Sequence, residues 1–386
     1  MLLRNRNYTS KQIQKIKKKK STFNHQRFQK KMPTNPRQKL PRKNVGMNNG
    51  RIRWGLPTTF IFGIVFIILV VPSLVVVPFI SGSKVQSQTV EQQQPEAHEE
   101  LAEDSAVEVA VMRSQTEQIE NVPLETYVSR VVAAEMPVEF ETEALKAQAL
   151  AARTFIVNQL LFKEKDTESD VSDTIMDQVY KDESELRAKW GNDYNKNMEK
   201  ITEAVLATKD QILTYNNEPI TPQFFSTSNG YTENSEDYWS NEIPYLRSVA
   251  SPWDEVSPYY LDQETFTLEA VETALGIDLP NNKQLAIEAT RTESQRVDEL
   301  KLEGSLFTGR EVREKLQLRS NDFTIEQKDN YLIFTTKGNG HGVGMSQYGA
   351  NGMAKEGKNY EEIVKYYYKG IEISSLDDAV PTLVMQ

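Results

Sequence analysis

The chain has 386 residues, with 45 Lys+Arg, 55 Asp+Glu and no cysteine. That length allows more than one domain, and the missing cysteines exclude disulfides and thiol nucleophiles. The formal net charge of −10 hides an asymmetry: residues 1–53 hold 17 of the basic residues and no acid, so everything after residue 83 has 28 basic residues against all 55 acids. Such an acidic body has no general attraction for polyanions, and nucleic acid is not an expected partner.

Residues 1–53, with KIKKKK at 15–20, carry too few apolar side chains to fold and read as a basic, disordered cytoplasmic tail. The tail can bind nucleic acid or anionic lipid, but a topology-setting segment lying on a membrane surface is the simpler reading. Residues 54–83 contain no charge, and 56–80 form an apolar run of 25 residues. About 20 suffice to span a bilayer. Pro72 and Pro78 are tolerated inside such a span. All the positive charge lies on its N-terminal side, so the tail should stay in the cytoplasm and the rest be exported. A cleaved signal peptide, with cleavage after the SGS at 81–83, is the competing reading. Its apolar region is typically only about 7–15 residues, which favours an uncleaved anchor. Residues 84–105, rich in Gln, Glu and Ser, read as a disordered acidic linker spanning about 25–30 Å on average.

AVEVAVM at 106–112 alternates and should be the first strand of a mixed α+β domain. A turn and two helices follow. Leu124, Val128, Val131 and Glu135 fall on one helical face, and three of the four are apolar. Pro137 stops this helix at about Met136 and leaves Glu135 in its last turn. Burial and the helix dipole would both raise the pKa of that carboxyl, as a general acid requires. The second helix has Thr142 as its expected N-cap and Glu143 in its first turn. Alanines at 144, 147, 149, 151 and 152 allow close helix packing, and Lys146 and Arg153 share one face. A cation beside Glu135 would pull its pKa back down, so the direction of the shift stays open in the sequence.

Residues 163–184 are acidic and aperiodic, a loop. Helical sequence runs from Ser184 to about Gly191 and again over 192–208. QILTY and EPITPQFFSTS flank Asn216-Asn217 as a hairpin, whose second strand should present Ser226, Thr227, Ser228, Asn229 and Gly230. Hydroxyls there, with Tyr231, Tyr238 or Trp239 able to lie on a pyranose face, suit a sugar. A Ser/Asn-rich turn would look similar. Residues 255–335 read as a smaller α+β lobe completing one wall of a groove: a helix at 267–275 ending at Gly276, strands near 284–291 and 295–302, a helix capped by Thr308, and strands near 322–327 and 331–336. In KGNGHGVGMSQYGANGMAKEG (337–357), alternate glycines permit close backbone approach to a ligand or another strand. Ser346 should cap the next helix while Gln347 and Tyr348 face the groove. GMSQY is not a nucleophile elbow and no GK[ST] follows the glycines, so serine-hydrolase and P-loop readings fail. A capped helix from Asn359 to Gly370 closes the domain.

EMP followed by EALKAQALAARTF, then FFSTSNGYT, YLRSVASPWD and GHGVGMSQYGA, with NYEEIVKYYYKG last, resembles the stage II sporulation protein D family of membrane-anchored lytic transglycosylases from endospore-forming bacteria. The resemblance covers about 106–376; residues 377–386 are a short tail and the long basic tail is outside it. It implies cleavage of the bond between N-acetylmuramic acid and N-acetylglucosamine in peptide-stripped peptidoglycan, after an amidase partner, during engulfment. The catalytic domain would then lie between the mother-cell and forespore membranes, among other sporulation membrane proteins. Glu135 would be the catalytic acid. Lys146, Gln148 and Arg153 would serve substrate binding, the two cations by holding the muramyl lactyl carboxylate or restraining Glu135. Ser226, Thr227, Ser228 and Tyr231 would contact the glycan from the second motif, and His341, Ser346, Gln347 and Tyr348 from the last. No cofactor is implied. Some relatives are expected to hold zinc near 163–184, but this chain has neither Cys nor His there, and no metal site is expected. Two rivals remain: a hydrolase with Glu233, Glu236 or Asp237 activating water, and a non-enzymatic wall-binding or amidase-activating module.

Overall fold

The computed structural model describes residues 107–162 and 168–380. The basic tail, the apolar run, the linker, and residues 163–167 and 381–386 lie outside the described residues. Among those described, no helix is long and apolar enough to cross a membrane.

The expected first strand is β1 (Glu108–Arg113), paired antiparallel with β2 (Gln118–Pro123). The second strand was not anticipated, because QIENVP has no apolar alternation; pairing with β1 makes it, across a turn with Glu117 at φ 55. Next come α1 (Leu124–Glu135) and α2 (Thr142–Phe162). Helix α2 starts one residue earlier than expected, since the Leu145 N–H donates to the Glu141 carbonyl and Thr142 is already helical. The acidic stretch holds a short strand, β3 (Val171–Ser172), parallel to β1. Helix α3 (Glu183–Trp190) is capped by Asp182 in a capping box with Glu185, and α4 (Tyr194–Leu206) follows.

Buried alanines at 144, 147, 149, 151 and 152 let α1, α4 and later helices pack around α2, which is hidden on all sides over most of its length. Arg153 has no exposed surface there. Its Nε and Nη2 donate to the two carboxylate oxygens of Glu125 at 2.8 and 2.7 Å, and it also donates to Thr208 Oγ1 and to the Val205 and Gln211 carbonyls. One buried fork therefore joins α1, α2 and the end of α4.

The hairpin exists but is short. Strands β4 (Gln211–Tyr215) and β5 (Glu218–Pro219) turn at Asn216 and Asn217, both left-handed. The chain then leaves that sheet. Phe224–Phe225 (β6) pairs in parallel with Met345–Ser346 (β7), so residues 226–230 are delivered by the tail motif and not by the hairpin. The glycine run in that motif approaches protein backbone. A Cβ on Gly344, at φ 80, would sit 2.1 Å from the Gln223 carbonyl oxygen.

A second hydrophobic core, with Leu268, Val271, Leu300, Val312, Leu332 and Phe334, belongs to the lobe predicted at about 255–335. It contains two antiparallel three-stranded sheets and two short helices. The helix capped by Thr308, α5 (Gly309–Leu316), matters for the groove. A Cβ on Gly309 would lie 1.9 Å from the Val297 carbonyl oxygen, so only glycine lets this helix sit so close to the strand Val297–Leu302. Helix α6 (Gln347–Lys355), capped by Ser346, and α7 (Tyr360–Tyr367), capped by Asn359, return to the first core.

Replacing Arg153 by Met should cost about 3–5 kcal/mol in urea unfolding, because Glu125, 3% exposed, is left charged and buried. The double variant Arg153→Met/Glu125→Leu should recover most of that loss. Equal instability of single and double variants would rule out the uncompensated charge as the cause.

Candidate functional site

A groove of about 1010 Å³ opens where α1 ends. Glu135 and Met136 lie at one side with residues 175–179, and Lys189 and Trp190 of α3 extend that wall. Phe224, Phe225 and Ser226 line it beside His341, Gln347 and Tyr348. Tyr238, Trp239, Tyr259 and Arg310 complete it from the lobe side.

Glu135 is the last residue of α1 because Met136 is extended (φ −111, ψ 145), the conformation a following proline imposes. Its Oε1 accepts the Val179 N–H at 2.9 Å, and the Gln347 carboxamide also hydrogen-bonds it. No described cation pairs with it. Burial raises its pKa, and the hydrogen bonds from Val179 and Gln347 oppose that rise without cancelling it. The direction left open by the sequence is thus upward, since Lys146 and Arg153 are both engaged elsewhere.

Val179 is held on both flanks. Gln178 is buried and accepts from the Tyr127 hydroxyl at 3.2 Å. Tyr180 stacks on Tyr127 with centroids 5.6 Å apart, and its hydroxyl bonds Glu120 and Arg130. The loop that supplies the donor to Glu135 is thus fastened to α1 through Tyr127 and Arg130.

Several expected contacts are corrected by placement. Arg153 is sealed in the core with Glu125 and cannot touch a ligand. Lys146 pairs with Glu143 at 2.7 Å, lies 5.8 Å from the Tyr360 ring centroid, and is not on the groove. Gln148 has no exposed surface; it stands behind Gln347, whose Nε2 reaches its Oε1 at 3.5 Å. Ser226 reaches the groove, but Thr227 is buried against the Ser257 hydroxyl at 2.8 Å. Ser228 and Ser346 are also buried, both donating to Asp254, at 2.7 and 2.6 Å. Tyr231 is half-exposed outside the groove, and its carbonyl accepts from Arg296. Gln347 and Tyr348 do line the groove, as expected.

His341 lines it too, but not as a proton carrier. Burial, with Arg313, Arg296 and Arg310 nearby, pushes its pKa down to about 3. Its Nδ1 accepts the Val343 N–H at 3.1 Å. The ring packs 5.4–5.7 Å from Phe225, Tyr238 and Trp239, so it backs an aromatic wall.

The three acids considered as water activators lie off the groove. Glu233 is 1% exposed and bound by Ser294, Thr292 and Arg296; Glu236 is paired with Arg247; Asp237 accepts from Asn234. Two acids on the groove wall escaped notice in the sequence: Glu139, which is exposed, and Asp177, whose Oδ2 takes the Ser172 N–H and hydroxyl. Val179 and Arg310 escaped as well. Only the loop's proximity to Glu135 reveals Val179, and no spacing signal marks either residue.

Fold and site together define a mixed α+β domain with an open groove, aromatic on one wall, with the half-buried Glu135 carboxyl, which has no ion partner among the described residues, at its side. The family model of the stage II sporulation protein, SpoIID, matches residues 112–215. Stage II sporulation protein D of Bacillus amyloliquefaciens is 47% identical over 333 residues, covering 83% of this chain and 96% of that protein. The protein of the same name from Bacillus subtilis (strain 168) is 48% identical, covering 81% and 93%. An amidase enhancer of Bacillus subtilis is 28% identical, covering 64% of this chain and 40% of its own length. The chain belongs to the stage II sporulation protein D family.

Removing the Gln347 donor with Gln347→Leu should raise the Glu135 pKa further, because that bond favours the carboxylate. Carbon-13 NMR titration of labelled glutamate in the folded protein reads this directly; an unchanged or lowered value would contradict the assignment.

Proposed function

We propose that the chain is a membrane-anchored lytic transglycosylase acting on peptide-stripped peptidoglycan during sporulation. The observation that carries the reading is Glu135: a groove-facing carboxyl with a raised pKa, no ion partner, and two neutral hydrogen-bond donors that serve its charged form. Such a group can hold a proton in one step and accept one in the next.

In the proposed reaction the Glu135 carboxyl protonates the glycosidic oxygen as the bond from the muramyl C1 breaks, and the N-acetylglucosamine O4 leaves as a hydroxyl. An oxocarbenium-like charge develops at C1. The muramyl C6 hydroxyl attacks C1 and closes an anhydro ring, and the Glu135 carboxylate takes the C6 proton. The acid is regenerated and no water is consumed. Val179 and Gln347 stabilise the carboxylate formed between the two steps. Tyr238, Trp239, Tyr259 and Tyr348 supply ring faces for the sugars.

The uncharged run at 56–80 with its basic flank supports a single-pass anchor and an exported domain. Preference for stripped glycan implies an amidase upstream, and likeness to an amidase enhancer is compatible with that association.

The full-length protein should convert peptide-free glycan to products with anhydro ends by mass; reducing ends would mean hydrolysis instead. Glu135→Gln should lower cleavage at least about a hundredfold while still binding glycan. An active variant would remove Glu135 from the chemistry. A Glu135 pKa raised in the folded state costs stability as pH rises through that value and not below the unfolded one. The same variant should therefore be no less stable than the parent at neutral pH in urea unfolding.

A further inference from the structure

Two cationic side chains, Lys189 and Arg310, line the groove among the described residues. Neither is one of the pair expected from the sequence. Lys189 is committed locally: its ammonium donates to the Ala133 carbonyl at 3.0 Å, in the last turn of α1, and lies 5.2 Å from the Trp190 ring centroid. Arg310 is different. Its guanidinium stacks over the Tyr238 ring at 4.7 Å, its Nε donates to Glu314 at 2.8 Å, and its Nη1 makes a long contact of 3.4 Å with the Tyr238 carbonyl. Nη2 has no partner among the described residues. Its side chain is 44% exposed.

The placement of Arg310 is built in. Thr308 caps α5, and Gly309 sits against the Val297 carbonyl where no side chain fits, so the first turn is pressed toward the groove. Arg313, one turn on, donates to the Tyr238 hydroxyl at 3.1 Å. The lobe thus holds the Tyr238 ring and, beside it, a guanidinium whose Nη2 is left without a partner among the described residues. Stacking holds the guanidinium plane and lowers the entropy lost when a ligand is bound.

We propose that Arg310 is the specificity-determining residue that reads a free lactyl carboxylate on a muramyl unit seated against Tyr238. This rests on the glycan reading above. The carboxylate is ionised only when the stem peptide is gone; with a peptide attached it is an amide, which offers one neutral acceptor and no charge. A guanidinium discriminates the two by charge-assisted bonding. The secondary lobe, which carries no other groove cation, is thereby the part of the fold that senses whether the strand has been stripped.

The test is a cycle of protein variant against ligand modification, measured by binding with the full-length protein carrying Glu135→Gln so that nothing is cleaved. The ligands are peptide-free glycan and the same glycan with its lactyl carboxylates chemically amidated. Arg310 intact should bind the free acid about tenfold more tightly than the amide. Arg310→Gln should bind the two nearly equally. If amidation changes nothing with Arg310 intact, or if Arg310→Gln keeps the full discrimination, the proposal is overturned. If Arg310→Gln weakens both ligands by one factor and keeps their ratio, Arg310 only supports Tyr238, and the proposal is again overturned. Loss of the transglycosylase reading would be seen separately, as missing anhydro ends from the protein with Glu135 present, and leaves this cycle readable.

Discussion

Asp254 has no exposed surface, and three hydroxyls point at its carboxylate: Ser228 and Ser251 at 2.7 and 2.6 Å on one oxygen, Ser346 at 2.6 Å on the other. No cation bonds it. Burial pushes its pKa up, and hydrogen bonds from the hydroxyls resist that push. Ser251 passes the connection on to the Tyr367 hydroxyl at 2.7 Å. Three hydroxyls, from Ser228, Ser346 and the nearby Ser251, each give this carboxyl a neutral donor, and the distant Tyr367 joins them through Ser251. A buried acid satisfied this way is costly to disturb, because any hydroxyl removed leaves lone pairs with no water to replace it.

The position of the groove follows from that junction. Ser346 faces inward to Asp254 and caps α6 through the Gly349 N–H. The next residue, Gln347, must then face the other way, toward Glu135. Ser228 fixes the end of the 226–228 segment in the same manner, leaving Ser226 on the groove. The polar residues of these motifs divide into those that build the site and those that face it. Neighbouring positions take opposite roles.

Glu135 is restrained by a different route. The helix stop sets its place along α1, and the Val179 N–H sets the direction of its carboxyl. That N–H is positioned by Tyr127, Gln178 and Tyr180, an aromatic and amide arrangement with no charge next to Glu135. Its pKa therefore reflects burial more than pairing. The opposite wall is shared: Tyr238 and Trp239 pack on the first core, and Arg310 comes from a lobe with its own core. Arg310 reaches the groove from α5, which lies tight on its strand.

Much of this was legible in the residues alone. The apolar stripe Leu124, Val128, Val131 with Pro137 beyond it marks the end of α1 and the semi-buried Glu135. The alanines of α2, the Asn216-Asn217 turn, the caps at Thr308, Ser346 and Asn359, and the separate lobe are local signals of periodicity, turn chemistry and composition. Sequence could not tell which polar residues of a motif face a ligand. Arg153 looked like a groove cation until Glu125, 28 residues away, was found beside it. Ser228 and Ser346 looked like sugar ligands until Asp254 took their hydroxyls. Val179 and Arg310 carry no signal at all, because a backbone N–H and a surface arginine are alike everywhere along a chain. Local interactions wrote the elements and the acid into the sequence; contacts between distant segments alone decided which side chains were left free to meet a substrate.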